Sequence, residues 1–445
     1  MRQFFSHAIF TSVMLIALSG CYGQSHLATM SDVQQTAQIG NYERAEELVK
    51  ENKYLQNPRN DLLYALELGV LTHLNKKYAE SNLWFERAAG RMEELDKISL
   101  SGMAADWIVS EKFHPYRGED FERVLVHYYM TLNYLMSGQL QEALVECRRV
   151  NTLLRYFNSR YEYKNVYKTD AFMLYLSGLI YDAMGEVNDA FIDYRHAYQT
   201  YTGDYREYYG VPLPSQLQQQ LLRTASALGF TGIFEEYRTE FSGQEWPTQR
   251  EYQNAARLVI IWNKGLAPYK IEELFRWSSD GDDWSEDDEP GCYVKVAFAD
   301  FVPRVETFSQ AIVSVNGTTR TLELAEDVGQ IARKNLEDRR FRTIAQGVSR
   351  NIIKCAIEEG MLDDEHWWFW HLVFTGITEL TEGADVRQWF LLPAQVHLTQ
   401  LLVQPGVTDV DLSFLDARGQ ISQHTLYEDV HLERGKTTFL IHRTF

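Results

Sequence analysis

Residues Phe172 to Ala197 set out Ser177-Gly178, Tyr181, Gly185, Ala190, Tyr194 and Ala197, and this pattern recurs in the first half of the chain. Tyr64 to Ala88 repeats it with Leu68-Gly69, Tyr78, Ser81, Phe85 and Ala88. The small residues Gly178 and Ala190 let two antiparallel helices approach closely, while Tyr181, Tyr194 and Ala197 fill the space toward a following pair. Two further segments carry the pattern less fully: Gly40-Asn41-Tyr42 with Ala45, and Tyr134, Gly138, Leu140, Ala143, Cys147 and Val150. A unit of this size cannot bury its apolar face alone, so the pattern demands a stack.

The Phe172 to Ala197 unit resembles a tetratricopeptide repeat at nearly every marker position. Aligned on the inter-helix turn, the units are anchored at 40, 76, 138 and 185, with spacings of 36, 62 and 47. A regular array would show about 34 each time. The expectation is a degenerate solenoid over residues 29–241 with insertions, notably Lys97 to Asp120. In such repeats the first helix of each pair lines the inner groove. Here that face carries Leu63, Leu66, Val70, His73 and Leu74, then Leu125, Tyr128, Leu132, Leu135 and Met136, then Phe172, Tyr175, Leu179, Asp182 and Ala183. Leu125 to Met136 and Phe172 to Leu179 of this set are candidates for a partner-binding groove. Left bare, the face would be a large apolar patch, which soluble proteins avoid. Either a partner's helix or peptide covers it, or the chain covers it with its own C-terminal domain or the Lys97 to Asp120 insertion. The high effective concentration of a tethered segment favours the second.

The first twenty residues read as a processing segment: Arg2 supplies a positive n-region and Ala8 to Leu18 a short apolar stretch. It is too short for a membrane span, which needs roughly 20 apolar residues. Leu18-Ser19-Gly20-Cys21 resembles a lipobox, so cleavage before Cys21 and acylation of its thiol are expected. Residues 21–28 then form a tether to the bilayer. Tyr22 follows the cysteine, rather than the aspartate that retains lipoproteins at the inner membrane. The expected location is therefore the outer membrane, facing the periplasm. No later stretch is long and apolar enough to cross a membrane. The most apolar, Trp367 to Ile377, is short and bounded by Glu365 and Glu379.

Ser215 to Phe241 is expected to close the helical array as a cap, and residues 242–254, with Gly243 and Pro247, to form a linker. Beyond it the periodicity changes to two. Strands are expected at Leu258 to Trp262, Tyr293 to Phe298, Ala311 to Val315, Thr319 to Leu324, Val396 to Val403, Asp409 to Leu415 and Thr438 to His442. Asn316-Gly317 between two of them is the strongest short hairpin signal. Helices are expected around 325–381, at Ala325 to Leu336, Asp338 to Glu359 and Glu365 to Leu380. The fold class is thus α+β: an all-α solenoid followed by a smaller β-rich domain, 255–445, with a helical insertion.

The net charge of −19 disfavours nucleic acid, since affinity there comes from lysines and arginines neutralising phosphates. With Cys21 acylated, Cys147, Cys292 and Cys355 remain. Cys147 falls on a helix core position, leaving Cys292 with Cys355 as the plausible disulfide. No nucleophile elbow, zincin, P-loop or dinucleotide motif is present, and no cofactor is implied. The acidic loop Asp280 to Glu289 lacks the ligand spacing of an EF-hand and reads as a solvated loop. Arg339, Arg342, Gln346, Arg350 and Lys354 share a helix face suited to ion pairing within the domain. Trp367, Trp368, Phe369 and Trp370 point in different directions on a helix, so packing explains them better than a glycan platform. His366 and His371 do not share a face, so they make a poor zinc pair.

Three stretches resemble an uncharacterised bacterial lipoprotein family with tetratricopeptide-like repeats. They are Tyr116-Arg117-Gly118-Glu119-Asp120-Phe121-Glu122-Arg123 with Leu132-Asn133-Tyr134, Leu258-Val259-Ile260-Ile261 with Asn263 and Gly265-Leu266-Ala267-Pro268, and Ala384-Asp385-Val386-Arg387-Gln388-Trp389 with Leu392-Pro393. The resemblance implies an envelope lipoprotein with a helical and a β-rich half, and brings no activity. Members sometimes stand beside lipoproteins similar to activators of peptidoglycan synthases, which implies a role in envelope assembly. The expected function is a membrane-anchored scaffold for envelope proteins. The alternatives are a glycan-processing enzyme or a solute sensor using the C-terminal domain.

Overall fold

The computed structural model describes residues 25–102, 114–160, 167–278, 293–338 and 383–445. Among these, ten helices pair into five antiparallel hairpins: α1 (Ser25–Gln38) with α2 (Tyr42–Glu51), α3 (Asp61–Leu74) with α4 (Tyr78–Gly102), α5 (Asp120–Met136) with α6 (Leu140–Arg160), α7 (Ala171–Met184) with α8 (Val187–Thr200), and α9 (Ser215–Ala227) with α10 (Thr231–Glu240). All five turns are built alike. Gly40, Lys76, Gly138, Gly185 and Gly229 sit at φ between 60° and 83°. The amide of the next residue reaches back five positions, as in Lys77 N–H to Thr72 O at 2.9 Å and Glu186 N–H to Tyr181 O at 2.9 Å. This closure satisfies carbonyls that the helix end would leave bare, and it favours glycine.

Within the hairpins, a Cβ on Gly69 would meet the Phe85 ring at 2.5 Å, and one on Gly178 would meet Tyr194 at 2.5 Å. The bare α-carbons are what let α3 approach α4, and α7 approach α8. Successive hairpins stack through α4 on α5, α6 on α7 and α8 on α9. The first helices α3, α5 and α7 are buried almost throughout, and the second helices keep one exposed face.

Two sheets follow. The first has the order β10-β1-β7-β6, with β1 (Ala256–Lys264) antiparallel to β7 (Gln395–Val403) and parallel to β10 (Thr437–Arg443), and β6 (Glu323–Asp327) at the edge. Every residue of β1 is buried. Its pleat divides them: Val259 and Ile261 join the core shared with the helices, while Leu258, Ile260 and Trp262 join a second core. That second core lies against the other sheet, ordered β5-β4-β8-β9 from β4 (Gln310–Val315), β5 (Thr318–Thr321), β8 (Gly406–Leu415) and β9 (Ile421–Leu432). The strands β2 (Tyr269–Ser278) and β3 (Tyr293–Val302) pair separately. The molecule is layered: helices, sheet, sheet. Asn316 and Gly317 both adopt positive φ, 50° and 79°, turning β4 into β5 as a type I′ hairpin requires.

Four expectations change. The cap at 215–241 is two helices, broken at Gly229 into a fifth hairpin. The linker is half folded: α11 (Gln249–Asn254) begins with a reciprocal Thr248–Glu251 cap and buries Tyr252. Ala325 to Asp327 is strand, not helix, because β6 pairs with β7 through a bulge at Leu324/Glu326. The helix starts only at Val328, with the Asp327 carboxylate accepting the Gln330 amide at 2.8 Å. Strands β2 and β9 were not expected. The helices expected at 339–359 and 365–380 lie outside the described residues.

Candidate functional site at the junction of the two halves

The inner face of the helical array is filled by the chain's own C-terminal half. Leu125, Tyr128, Leu132, Leu135, Phe172, Tyr175 and Leu179 are at most 5% exposed, and Met136 is half-buried. All but Met136 share one core with Val259 and Ile261 of β1, Val396 and Leu398 of β7, and Trp389, Phe390, Leu391 and Leu392. The last four lie in segment 383–394, which runs without regular strand or helix between sheet and array. The Trp389 ring stands 5.7 Å from both Phe85 and Tyr129.

The segment is held by its backbone as a bound peptide would be. Glu122 of α5 accepts the Trp389 N–H at 2.8 Å, and Glu67 of α3 accepts the Phe390 N–H at 2.6 Å. The other Glu122 oxygen accepts the Tyr116 hydroxyl at 2.5 Å and the Glu119 amide at 2.9 Å. Burial pushes both carboxyls up, Glu67 to about 8. Arg387 donates to Asp385 at 2.6 Å, to Asn60 Oδ1 at 3.1 Å and to the His114 carbonyl at 2.9 Å. Lys270 of β2 pairs with Glu119, and the Tyr128 hydroxyl donates to Asn263 at 2.7 Å.

Energy decides what this face can do. Burying four large apolar side chains, Trp389 to Leu392, contributes about 6–12 kcal/mol at roughly 1.5–3 each. A whole domain is typically stable by about 5–15 kcal/mol. The groove candidates are thus buried residues, and the inner face is occupied by the chain's own C-terminal half.

Two more polar joints cross the junction. Asp182 of α7, one of the expected inner-face residues, accepts from Arg223 of α9, from the Tyr194 hydroxyl at 3.0 Å and from the Tyr252 hydroxyl at 3.1 Å. The Arg223 guanidinium lies 3.7 Å over the Tyr252 ring. Asp170 caps α7 through the Met173 amide at 2.7 Å and accepts the Tyr167 hydroxyl at 2.7 Å. Glu326, buried beside the β6 bulge, lies close enough to Asp170 for the two carboxyls to interact. Burial raises both carboxyls, and the charge of Asp170 raises Glu326 further.

These ionisable groups are buried, and most are spent on the hydrogen bonds and ion pairs just described. A polar depression of 260 Å³ lies elsewhere, on α3 and α4, lined by Asp61, Arg87, Arg91 and Glu94. Arg91 already bridges Asp61 at 3.0 Å and Glu94 at 2.7 Å. Among the described residues no group of three or more His, Cys, Asp or Glu is placed to hold a metal. Cys147 is free and buried, with burial pushing its thiol up to about 12. Cys21, Cys292 and Cys355 lie outside the described residues, as do the acidic loop, the arginine-rich face, the Trp367 cluster and both His366 and His371. The junction carboxylates escaped the sequence reading, although each carried a signal. Glu67 is the one charge within Leu62 to Leu74, and Asp170 opens a helix whose next eleven residues are uncharged.

No protein-family model and no curated protein matches the chain. Solved structures give partial likenesses, each over about half of the chain. One is a crystal structure of MamA protein, 16% identical, covering 50% of this chain and 93% of that one, at a TM-score of 0.31. MamA from Desulfovibrio magneticus RS-1 is 15% identical, covering 50% and 95%, at 0.31. A Podosopora anserina putative kinesin light chain with nearly identical TPR-like repeats is 16% identical, covering 48% and 92%, at 0.30.

Proposed function

We propose that the chain is a non-enzymatic scaffold of the bacterial envelope, tethered through acyl chains on Cys21 to the outer membrane and presenting its rigid body to envelope proteins in the periplasm. The observation that carries this reading is the array of five hairpins, in which the first helices α3, α5 and α7 are spent on the fold while the second helices keep an exposed face. A surface of repeated helices suits protein recognition. The lipobox at Leu18 to Cys21 and the short apolar leader support the tether. Several acyl chains are needed, because each buried CH₂ contributes only about 0.8 kcal/mol.

Cross-linking of the lipidated protein in its native envelope, read by mass spectrometry, tests the scaffold. The expected result is reproducible cross-links from second-helix residues to one envelope protein. Links confined to the chain itself would reject it. Fractionation tests the tether: the wild-type protein should travel with the outer membrane and Cys21→Ser should release it. An unchanged location would exclude lipid at Cys21.

A further inference from the structure

Counting from each hairpin turn, the seventh residue on α4, α6 and α8 is Leu83, Val145 and Ile192, exposed by 65%, 42% and 42%. Three equivalent positions on consecutive hairpins thus carry an exposed aliphatic, an interrupted apolar ridge along the second helices. The ridge has ends, because the same position on the first and last hairpins is Glu47 and Glu236. Acidic residues flank it on the side of the helix starts: Glu80, Glu142 and Asp189, each four after its turn. Basic residues flank it on the other side: Arg87, Arg149 and Arg195, ten or eleven after the turn, all exposed. Residues at these steps share one helix face.

Helix dipoles account for acids near helix starts and bases farther along, but not for an exposed aliphatic between them on three helices in a row. We propose that this ridge is the interface of a homodimer, occupied by a second copy of the chain. Charge order selects the geometry. A two-fold axis lying along the ridge sets each acidic row on the basic row of the other copy and each ridge residue on its counterpart. A two-fold axis across the ridge would set acid on acid. The favoured axis also leaves the hairpins of both copies running in the same direction, with both N-termini at one end, where two chains tethered in one membrane need them. The inference stands on the ridge and its charges and does not depend on that tether.

Three helices about 10 Å across and at least about 21 Å long present about 600 Å² per copy. A stable complex commonly buries about 800 Å² per partner, so the dimer is weak in solution.

Sedimentation equilibrium of the full mature chain carrying Cys21→Ser, taken to submillimolar concentration, tests the inference. The expected result is a monomer–dimer equilibrium weakened at least tenfold by Asp189→Arg and by Arg195→Glu singly, and restored toward wild type in the double variant. Ile192→Ser should weaken it as well, and unchanged thermal melts would show that each variant folds. A monomer at every concentration, a different stoichiometry, a dimer indifferent to these substitutions, or a double variant no better than the singles would each overturn it.

Discussion

At Gly178 the helix has room for hydrogen and nothing larger. An alanine in a helix interior normally gains up to about 1 kcal/mol over glycine. Here its methyl would sit 2.5 Å from the Tyr194 ring, itself fully buried and hydrogen-bonded to Asp182. Overpacking of this kind costs about 1–3 kcal/mol, so the clash wins: Gly178→Ala should lower the unfolding free energy by about 1–2 kcal/mol in urea titration. A neutral or stabilising effect would mean that the helices can separate. Cys147 is the second residue-scale case. Its thiol, 1% exposed and 3.8 Å from Thr131 Oγ1, should resist alkylation at neutral pH in the folded protein and react on unfolding. Rapid labelling of the native chain would contradict its placement. Both residues were legible, Gly178 from its spacing to Ala190 and Cys147 from its place on the apolar stripe. Glu67, Glu122 and Arg387 were not read as joints. A charge within an apolar run shows that something must pair with it, but not which distant segment does.

Turns carry the element scale. Four of the five left-handed positions were readable as anchors, because glycine or its equivalent closes each first helix. The fifth, Gly229, sits in Leu228-Gly229-Phe230 inside a helical stretch that otherwise runs on from Ser215 to Phe241. Lys76 is the one non-glycine among them, at φ 60°. Left-handed geometry costs an ordinary residue about 1–2 kcal/mol, of which glycine's greater unfolded-state freedom returns about 0.4–1. Lys76→Gly should therefore raise stability by about 0.5–1 kcal/mol, measured as a shift in the urea midpoint at constant slope. A loss would mean that the turn is not what limits this hairpin. Among the strands, β1 was plain as a continuous apolar run, which burial on both faces produces. β9 was hidden because an exposed edge strand, Ile421 to Leu432, has little apolar alternation to show. The parallel pairing of β1 with β10 joins residues 180 apart and leaves no local trace.

On the scale of the whole molecule, the helical array and the first sheet are one body, because the face that would bind a peptide in an open solenoid is filled by segment 383–394. The buried groups give that body a pH dependence. Glu67, raised to about 8, contributes stability that is full below pH 4.5 and lost as pH rises through 8. Burial lowers His73 and His442 to about 4 and His397 to about 3. Their contribution is present above pH 6.5 and lost as pH falls toward 4. Between pH 4.5 and 6.5 the two sets oppose each other, while above 6.5 the carboxyl dominates. The melting temperature should therefore fall between pH 6.5 and 8, and less steeply in Glu67→Gln, whose amide oxygen can still accept the Phe390 N–H. Equal slopes would show that Glu67 is ionised in the core.

Native-state hydrogen exchange of the full chain under increasing denaturant tests the single-body claim most directly. Amides of α3, α5 and α7, of segment 385–392 and of β1 should open together, at the free energy of global unfolding. If segment 385–392 opens first and at low cost, leaving the inner helices protected, the groove is one that a partner can enter and the account is wrong.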